Sequence, residues 1–510
     1  MGAQVKTIIA TGISGTLIDV ECHLSNNLPT IIIVGFANKA VTEARERIRG
    51  AFADSHIMLP RKRITINLAP ADLPKEDSGF DVAIAVAILR ASGQAPDTAA
   101  SKQAFIGELG LDGTVRGVRG IIGKLLAGRA NGIKEFYIPD SNLRQALLVP
   151  GVTLFPVKTL QQLHKHLIDL EKIKPRRTGK GKLKRIRDNR LDYPVQLSQV
   201  VGQEQAKRAL EIAAAGGHNV FFSGPPGTGK SMLAKALASL MPLLEREEVL
   251  EVTHLHSLAS HDYEQIVLQR PFRAPHHSAS YAAVTGGGLQ LRPGEISLAH
   301  RGVLFFDELP EFGRTTLEAL RQPLEDRVIS VARAKDTIEY PADFMLVATA
   351  NPCPCGYYGT NNGVCRCSGH QIINYRRRLS GPILDRIDLF SSVHEVAHAK
   401  LLQPVVNQAF DDEVRERIQQ ARQLQAKRYQ TPSKLNAAMT NTDINRFARL
   451  EKAATDVLNT AAQQLNVSAR SYMRSVKVAR TIADLEGSEQ ITVAHISEAL
   501  AYRRPHAQNS

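Results

Sequence analysis

The run VFFSGPPGTGKS at 220–231 constrains this chain more than any other stretch. It is an apolar, β-prone segment followed by Gly224, four residues, Gly229, Lys230 and Ser231, which is the phosphate-loop pattern. Glycine there lets backbone N–H groups curl around phosphate oxygens, so Gly224, Pro225, Pro226, Gly227, Thr228 and Gly229 are expected to form the cradle. Lys230 is placed to neutralise the β- and γ-phosphates, and the Ser231 hydroxyl is placed to ligate Mg²⁺. The helix expected next, MLAKALASLM, turns its positive N-terminal end toward the same anion. A buried strand, loop and helix joined in this way, in a stretch that interleaves strands and helices, read as fold class α/β, and the implied cofactors are ATP and Mg²⁺.

Two more apolar runs end in residues suited to that site. GVLFFDEL at 302–309 delivers Asp307 and Glu308 at the end of a buried strand, Asp307 to support the Mg²⁺ shell and Glu308 to polarise the attacking water. FMLVATANP at 344–352 ends in Asn351, placed to hold that water or to sense the γ-phosphate; its plainer reading is a turn-initiating Asn before Pro. Directly after it come Cys353 and Cys355, nine residues, then Cys365 and Cys367. Two close pairs on a Gly-rich loop suit a structural, tetrahedral Zn²⁺ site, with His370 able to replace one ligand. Reduced thiols or a redox disulfide are the alternatives, since the one-residue spacing inside each pair is tighter than usual.

The rest of the 510 residues divides by pattern. Strand-like TIIIVGF, KRITINLAP, AFIGELG and EFYIP alternate with helix-like VTEARERIRGAF, FDVAIAVAILR and IIGKLLAGRANG, which predicts a first α+β domain over 1–165. Next, EKIKPRRTGKGKLKRIRDNR holds ten Lys or Arg against two acids and cannot bury a core, so 166–195 reads as a basic linker. Strands and helices interleave again over 196–393, and 394–510 reads as a C-terminal helical lid, with Met473, Val476, Ala479 and Ala483 on one face. Lys and Arg number 64 against 50 acids, a formal charge of +14 that favours polyanionic partners. No apolar run reaches the roughly 20 residues of a membrane span, and MGAQVKTIIATGISG lacks a signal or transit pattern, so the expectation is a cytoplasmic protein with no membrane partner.

In this order and spacing, GPPGTGKS, VLFFDE, VATANP and LSGPILDRIDLF resemble the AAA+ ATPases, within them the branch of magnesium-chelatase ATPase subunits and MCM-type helicases. The resemblance implies that Arg386, in LDRIDL, is an arginine finger reaching the γ-phosphate on a neighbouring subunit, and therefore a homohexameric ring. It also implies a second sensor in SARSYMRSVKVAR, Arg474 with Arg470 as the alternative. VISVARAKDTIEYPADF reads as a hairpin, and RPFRAPHHSASYAAVTGGGLQLRPGEISLAHRG is a second insert. In the resembling helicases such inserts face a central pore, which would bring Arg333 and Lys335 near a threaded DNA backbone.

Through APADLPKEDSGFDVAIAVAIL and GELGLDGTVRGVRGIIGKLLAGRANGIKEFYIP, the first domain resembles the Lon proteolytic domain, a ribosomal S5 domain 2-like fold. Gly79 and Ile122 occupy the serine and lysine positions of the dyad, with Ser78 and Lys124 one and two places away, so no protease activity is expected. The whole arrangement resembles the ComM/YifB family of magnesium-chelatase-like proteins. That family implies an ATP-driven helicase that moves DNA branch points and helps integrate transforming single strands in natural competence. Its implied partners are single-stranded and branched DNA, other copies of itself and recombination proteins. A chelatase motor subunit and a non-motor DNA-binding assembly switch are the competing functions.

Overall fold

The computed structural model describes residues 2–34, 39–70, 79–96, 102–177, 195–288, 291–332, 337–359, 364–379, 381–396, 407–465 and 467–503. Ser78, most of the basic linker (178–194), and the tip residues Arg333 and Lys335 lie outside them.

The N-terminal unit opens with β1 (Gly2–Thr11), β2 (Ser14–Ser25) and β3 (Thr30–Val34), and helix α1 (Lys39–Asp54) leads to β4 (Arg63–Ala69). The sheet order is β1-β2-β4-β3, antiparallel except between β3 and β4. Ile18, Val20 and Cys22 of β2 alternate into the core, the period of a half-buried strand. Burial there pushes the Cys22 thiol up to about 12. Helix α2 (Asp81–Ala91) is buried along its whole length, as its unbroken VAIAVAIL requires. A second sheet holds β5 (Gln103–Phe105), then, after helix α3 (Ile121–Ala130), β6 (Glu135–Pro139), β7 (Thr153–Val157) and β8 (Arg176–Arg177), in the order β8-β7-β6-β5. Ile173 is buried in this unit's core and Arg176–Arg177 pair with Thr153–Leu154, so folded chain continues past residue 165.

The second unit contains α4 (Glu204–Gly216), β9 (Val220–Ser223), α5 (Lys230–Leu240), α6 (Arg246–Ala259), β10 (Phe272–Arg273) and β11 (Val303–Phe306). A hairpin of β12 (Val328–Ala332) and β13 (Thr337–Pro341) precedes β14 (Met345–Ala350) and β15 (Leu389–Ser392). The main sheet is parallel throughout, in the order β10-β11-β14-β9-β15. Every residue of β11 and β14 is buried, as expected for parallel strands covered on both faces. Val220, Phe222, Phe305 and Val347 face one core, while Phe221, Leu304, Phe306 and Leu346 face another. Between β10 and β11, the second insert forms two short helices, Tyr281–Thr285 and Glu295–Leu298, around a two-residue pairing of Gly286–Gly287 with Arg292–Pro293.

After residue 407 the described chain is almost wholly helical: α7 (Gln408–Tyr429), α8 (Asn441–Phe447), α9 (Lys452–Gln464), α10 (Ala469–Leu485) and α11 (Val493–Ala501). Val476, Ala479 and Ala483 are buried in the same core as α4, α5 and one face of the sheet. The N-terminal unit docks on this assembly through α6: His254 Nε2 lies 2.5 Å from the Ile13 carbonyl oxygen, to which it donates. A Cβ on Gly123 of α3 would come within 2.6 Å of the same ring, so only glycine fits there. Among the described residues no helix is long and apolar enough to cross a membrane.

Candidate nucleotide site and a cationic cleft

The loop between β9 and α5 uses its glycines for two different reasons. Gly227 and Gly229 have φ of +78° and +90°, the left-handed region, with open space where a Cβ would stand. At Gly224 the limit is space, since a Cβ would meet the Val393 carbonyl oxygen at 2.2 Å. The loop is therefore pinned to the end of the sheet while its tip stays open to a ligand.

At the carboxyl ends of β9, β11 and β14 five of the expected site residues form two hydrogen-bonded groups. The Lys230 ammonium donates to the carbonyls of Gly224 and Pro225, both at 2.7 Å, and to Asn351 Oδ1 at 3.1 Å. Asn351 Nδ2 donates in turn to Glu308 Oε1 at 3.1 Å. Ser231 donates to Asp307 Oδ2 at 2.9 Å, which places hydroxyl and carboxylate side by side as an oxygen donor set suited to Mg²⁺. Burial lowers the Lys230 pKa, with Asp307 and then Glu308 pulling the other way. The ammonium folds back on its own loop's carbonyls, where a phosphate would give it a stronger partner. The loop, the open glycine tip and this donor set fit a nucleotide triphosphate with its Mg²⁺.

Thr349 was not singled out from the sequence, yet it fixes both acids. Its hydroxyl donates to Asp307 Oδ1 at 2.6 Å and accepts from the Glu308 N–H at 2.9 Å. Glu308 sits at φ +53°, a conformation costly for a residue with a Cβ and concentrated at functional sites. The available signal was its position two residues before Asn351, on the same side of the strand.

The four cysteine sulfurs 353, 355, 365 and 367 lie within 4.8 Å of one another. Cys353 Sγ is 3.4 Å from Cys355 and 3.8 Å from Cys365, and Cys355 is 3.7 Å from Cys365. Tetrahedral zinc with bonds near 2.3 Å requires sulfurs about 3.8 Å apart, so Cys353, Cys355 and Cys365 already stand near ligand spacing, with Cys367 within 4.8 Å of them. N–H donors of Tyr357 and then Arg366 pull the Cys355 thiol down to about 6. His370 is not in the group; it lies on the helix Gly369–Arg377, paired with Asn374. A Cβ on Gly356, just after Cys355, would meet the Pro226 ring at 2.6 Å, so this loop rests directly on the phosphate loop.

Arg386, Arg470 and Arg474 are not at this site. With Arg327 and Lys477 they line a separate cleft of about 450 Å³. Asn219, just before β9, donates from its side chain to the Arg386 carbonyl at 2.9 Å and from its backbone to Asp388 at 3.1 Å. The phosphate loop leaves the other end of β9, so a four-residue strand, about 13 Å long, separates cleft from loop. Arg386 makes an ion pair with Glu325 at 2.6 Å and Arg470 another at 2.7 Å, while Arg474 donates to the Ile387 carbonyl and to Ser471.

In the N-terminal unit, Ile122 and Lys124 are both buried completely in α3, and Gly79 precedes α2. Asp81, at the start of α2, is also buried and accepts from Arg47 at 2.7 and 3.1 Å.

Comparison with known proteins finds similarity along nearly the whole chain. Residues 196–401 match the family model for magnesium chelatase, subunit ChlI, residues 20–142 match subunit ChlI of Mg-chelatase, and residues 411–503 match the ChlI C-terminal model. Competence protein ComM of Haemophilus influenzae is 44% identical over 506 residues, covering 98% of this chain and 97% of that protein. YifB of Escherichia coli, itself described as uncharacterized, is 43% identical over 505 residues, or 98% of this chain and 96% of its own length. The magnesium-chelatase 38 kDa subunit of Cereibacter sphaeroides is 31% identical over 177 residues, 31% of this chain and 53% of that subunit. Identity sustained across both chains, together with the parallel-sheet nucleotide site, makes this chain a member of the ComM/YifB family of magnesium-chelatase-like AAA+ proteins.

Proposed function

We propose that this chain hydrolyses ATP as a homohexameric DNA motor that moves branch points and helps integrate incoming single strands. The carrying observation is the set in which Lys230, Asn351 and Glu308 are bonded in sequence while Ser231 stands against Asp307. ATP supplies the phosphoryl group and Mg²⁺ its charge compensation; the protein supplies position and proton handling. Gly224–Ser231 hold the phosphates through backbone N–H groups and Lys230, and Ser231 and Asp307 would hold Mg²⁺. Glu308 accepts the proton of the attacking water, and Asn351, bonded to both Lys230 and Glu308, keeps that carboxylate aimed. Arg386 completes a neighbour's site, with Arg474 or Arg470 as its companion. Cys353, Cys355, Cys365 and Cys367 would hold structural Zn²⁺, a cross-link for the loop resting on Pro226.

For DNA as the substrate, the support is full-length similarity to a protein named for competence and the +14 charge. The β12–β13 hairpin would carry Arg333 and Lys335 toward the strand. A chelatase motor subunit is the second reading, supported by the magnesium-chelatase family models. Likeness to the chelatase 38 kDa subunit covers only 31% of this chain, which favours the DNA reading. A non-motor assembly switch would bind DNA without moving it.

The test supplies purified protein with ATP on forked, three-stranded and four-stranded DNA junctions, beside Lys230→Ala and Glu308→Gln. Wild type is expected to move junctions, Lys230→Ala to lose nucleotide binding, and Glu308→Gln to bind ATP but turn it over slowly. A wild type that hydrolyses ATP yet moves no junction and binds no single strand overturns the motor.

A further inference from the structure

Glu325 lies in the short helix Arg321–Asp326 that leads into β12. One of its carboxylate oxygens accepts from Arg386 at 2.6 Å and from Arg470 at 2.7 Å. The arginines come from separate parts of the chain, Arg386 from the segment before β15 and Arg470 from the first turn of α10. One anionic oxygen between two guanidinium groups from different segments is an anion site already assembled. Arg386 and then Arg470 hold the Glu325 carboxyl below its ordinary range.

Glu325 does not use all that the site offers. The Arg386 side chain is only 9% exposed, and its Nε is buried with no hydrogen-bond partner among the described residues. A buried, unsatisfied donor on an arginine points to a larger anion than one carboxylate oxygen. Arg327, Arg474 and Lys477 line the same cleft, and burial holds Lys477 below the ordinary lysine range. Of the acids that line the cleft, Asp343 is engaged with Arg301 and Arg327 and Asp388 with His218 and the Asn219 N–H, while Asp385 lines it as a further carboxylate outnumbered by the five cations. Because the chain's own phosphate loop lies a full strand length away, the anion has to come from outside the subunit.

We infer that Glu325 is a placeholder. In the separate subunit its carboxylate occupies the position taken, in the assembled ring, by a terminal phosphate oxygen of the neighbouring copy's nucleotide, and Arg386 and Arg470 form the clamp. This rests on the reading of the chain as a ring ATPase. It assigns Arg470 to the phosphate and makes Arg474 a positioning residue that ties α10 to the Arg386 segment through the Ile387 carbonyl.

The test measures ATPase turnover per subunit against protein concentration for wild type, Glu325→Gln, Glu325→Asp, Arg470→Ala and Arg474→Ala, with sedimentation in ATP to follow assembly. Removing the competing charge should let Glu325→Gln reach half-maximal turnover at several-fold lower protein concentration, with saturated turnover kept or raised. Glu325→Asp, which keeps the charge, should return toward wild type. Arg470→Ala should assemble but lose on the order of 100-fold or more in saturated turnover, and Arg474→Ala less. A Glu325→Gln variant with unchanged concentration dependence, or one losing saturated turnover as Arg470→Ala does, overturns the placeholder; wild-type turnover in Arg470→Ala overturns the clamp. Wild type that stays monomeric in ATP, with turnover per subunit independent of concentration, overturns the ring reading instead, so the two failures are distinguishable.

Discussion

One hydroxyl sets the spacing of the two acids in the nucleotide site. Thr349 donates to Asp307 and accepts from the Glu308 N–H, so it holds in a fixed relation the two acids proposed to support Mg²⁺ and to activate water. Valine has nearly the same shape but would leave Asp307 Oδ1 and the Glu308 N–H each short of a partner. An unmet hydrogen bond of this kind costs about 1–3 kcal/mol, so Thr349→Val should lower the kcat for ATP on the order of 10- to 100-fold. KM should change little, since the Lys230 cradle is untouched, and Thr349→Ser should restore most of the rate. Steady-state ATPase measurements on the three proteins check this, and a Val variant with wild-type kcat sinks it. Lys230, Ser231, Asp307, Glu308 and Asn351 were legible in the sequence because each follows an apolar strand directly or opens the helix after the loop that leaves one. Thr349 was missed because a threonine inside a β-rich run looks like ordinary strand composition.

At the scale of elements, the contact of α6 with the β1–β2 turn should respond to pH. His254 donates from Nε2 to the Ile13 carbonyl, and its Nδ1 is buried with no hydrogen-bond partner among the described residues. Burial lowers the pKa of His254 below its ordinary 6.5, so the neutral ring is the one that fits. A depressed folded-state pKa contributes stability above the unfolded value and loses it as pH falls below 6.5. The melting temperature should therefore hold from pH 8 to about 7 and fall below roughly 6.5, and His254→Gln should flatten that fall. Equal acid sensitivity in the variant would remove His254 as the cause; buried His256, its pKa also lowered by burial, is then the group to replace next. The cysteine loop gives a second expectation at this scale: metal analysis should find about one zinc per chain in wild type and none after Cys353→Ser with Cys365→Ser. Absence of zinc from the wild type sinks the metal site. Elements were legible where a single run carried the signal, as in β9, β11, β14 and the hairpin. The docking of α6 was not, because it joins residues 241 positions apart. Nor was the shared core of α10 with the sheet, since a helical face shows that it is buried without showing against what.

For the whole molecule, the decisive geometry is the separation of the two halves of the chemistry. Phosphate loop, acids and Asn351 stand at one end of the parallel sheet, and Arg386 and Arg470 stand at the other. A side chain cannot span that strand length, so on the proposed reading one subunit alone would hold a phosphate cradle without its arginines and an arginine clamp without its phosphate. The sequence revealed the parts but not this arrangement, because Glu325, Arg386 and Arg470 meet only after distant segments fold together. In a head-to-tail ring each clamp can serve the next cradle, which makes complementation the direct test. Lys230→Ala and Arg386→Ala should each be nearly inactive alone. Mixed in equal amounts before assembly, about one interface in four should join an intact cradle from the Arg386→Ala subunit to an intact clamp from the Lys230→Ala subunit. ATPase activity should then reappear in the mixture, scaling with the product of the two subunit fractions. Mixing that yields only the sum of the separate activities would mean that each subunit completes its own site, and the ring would not be needed for hydrolysis.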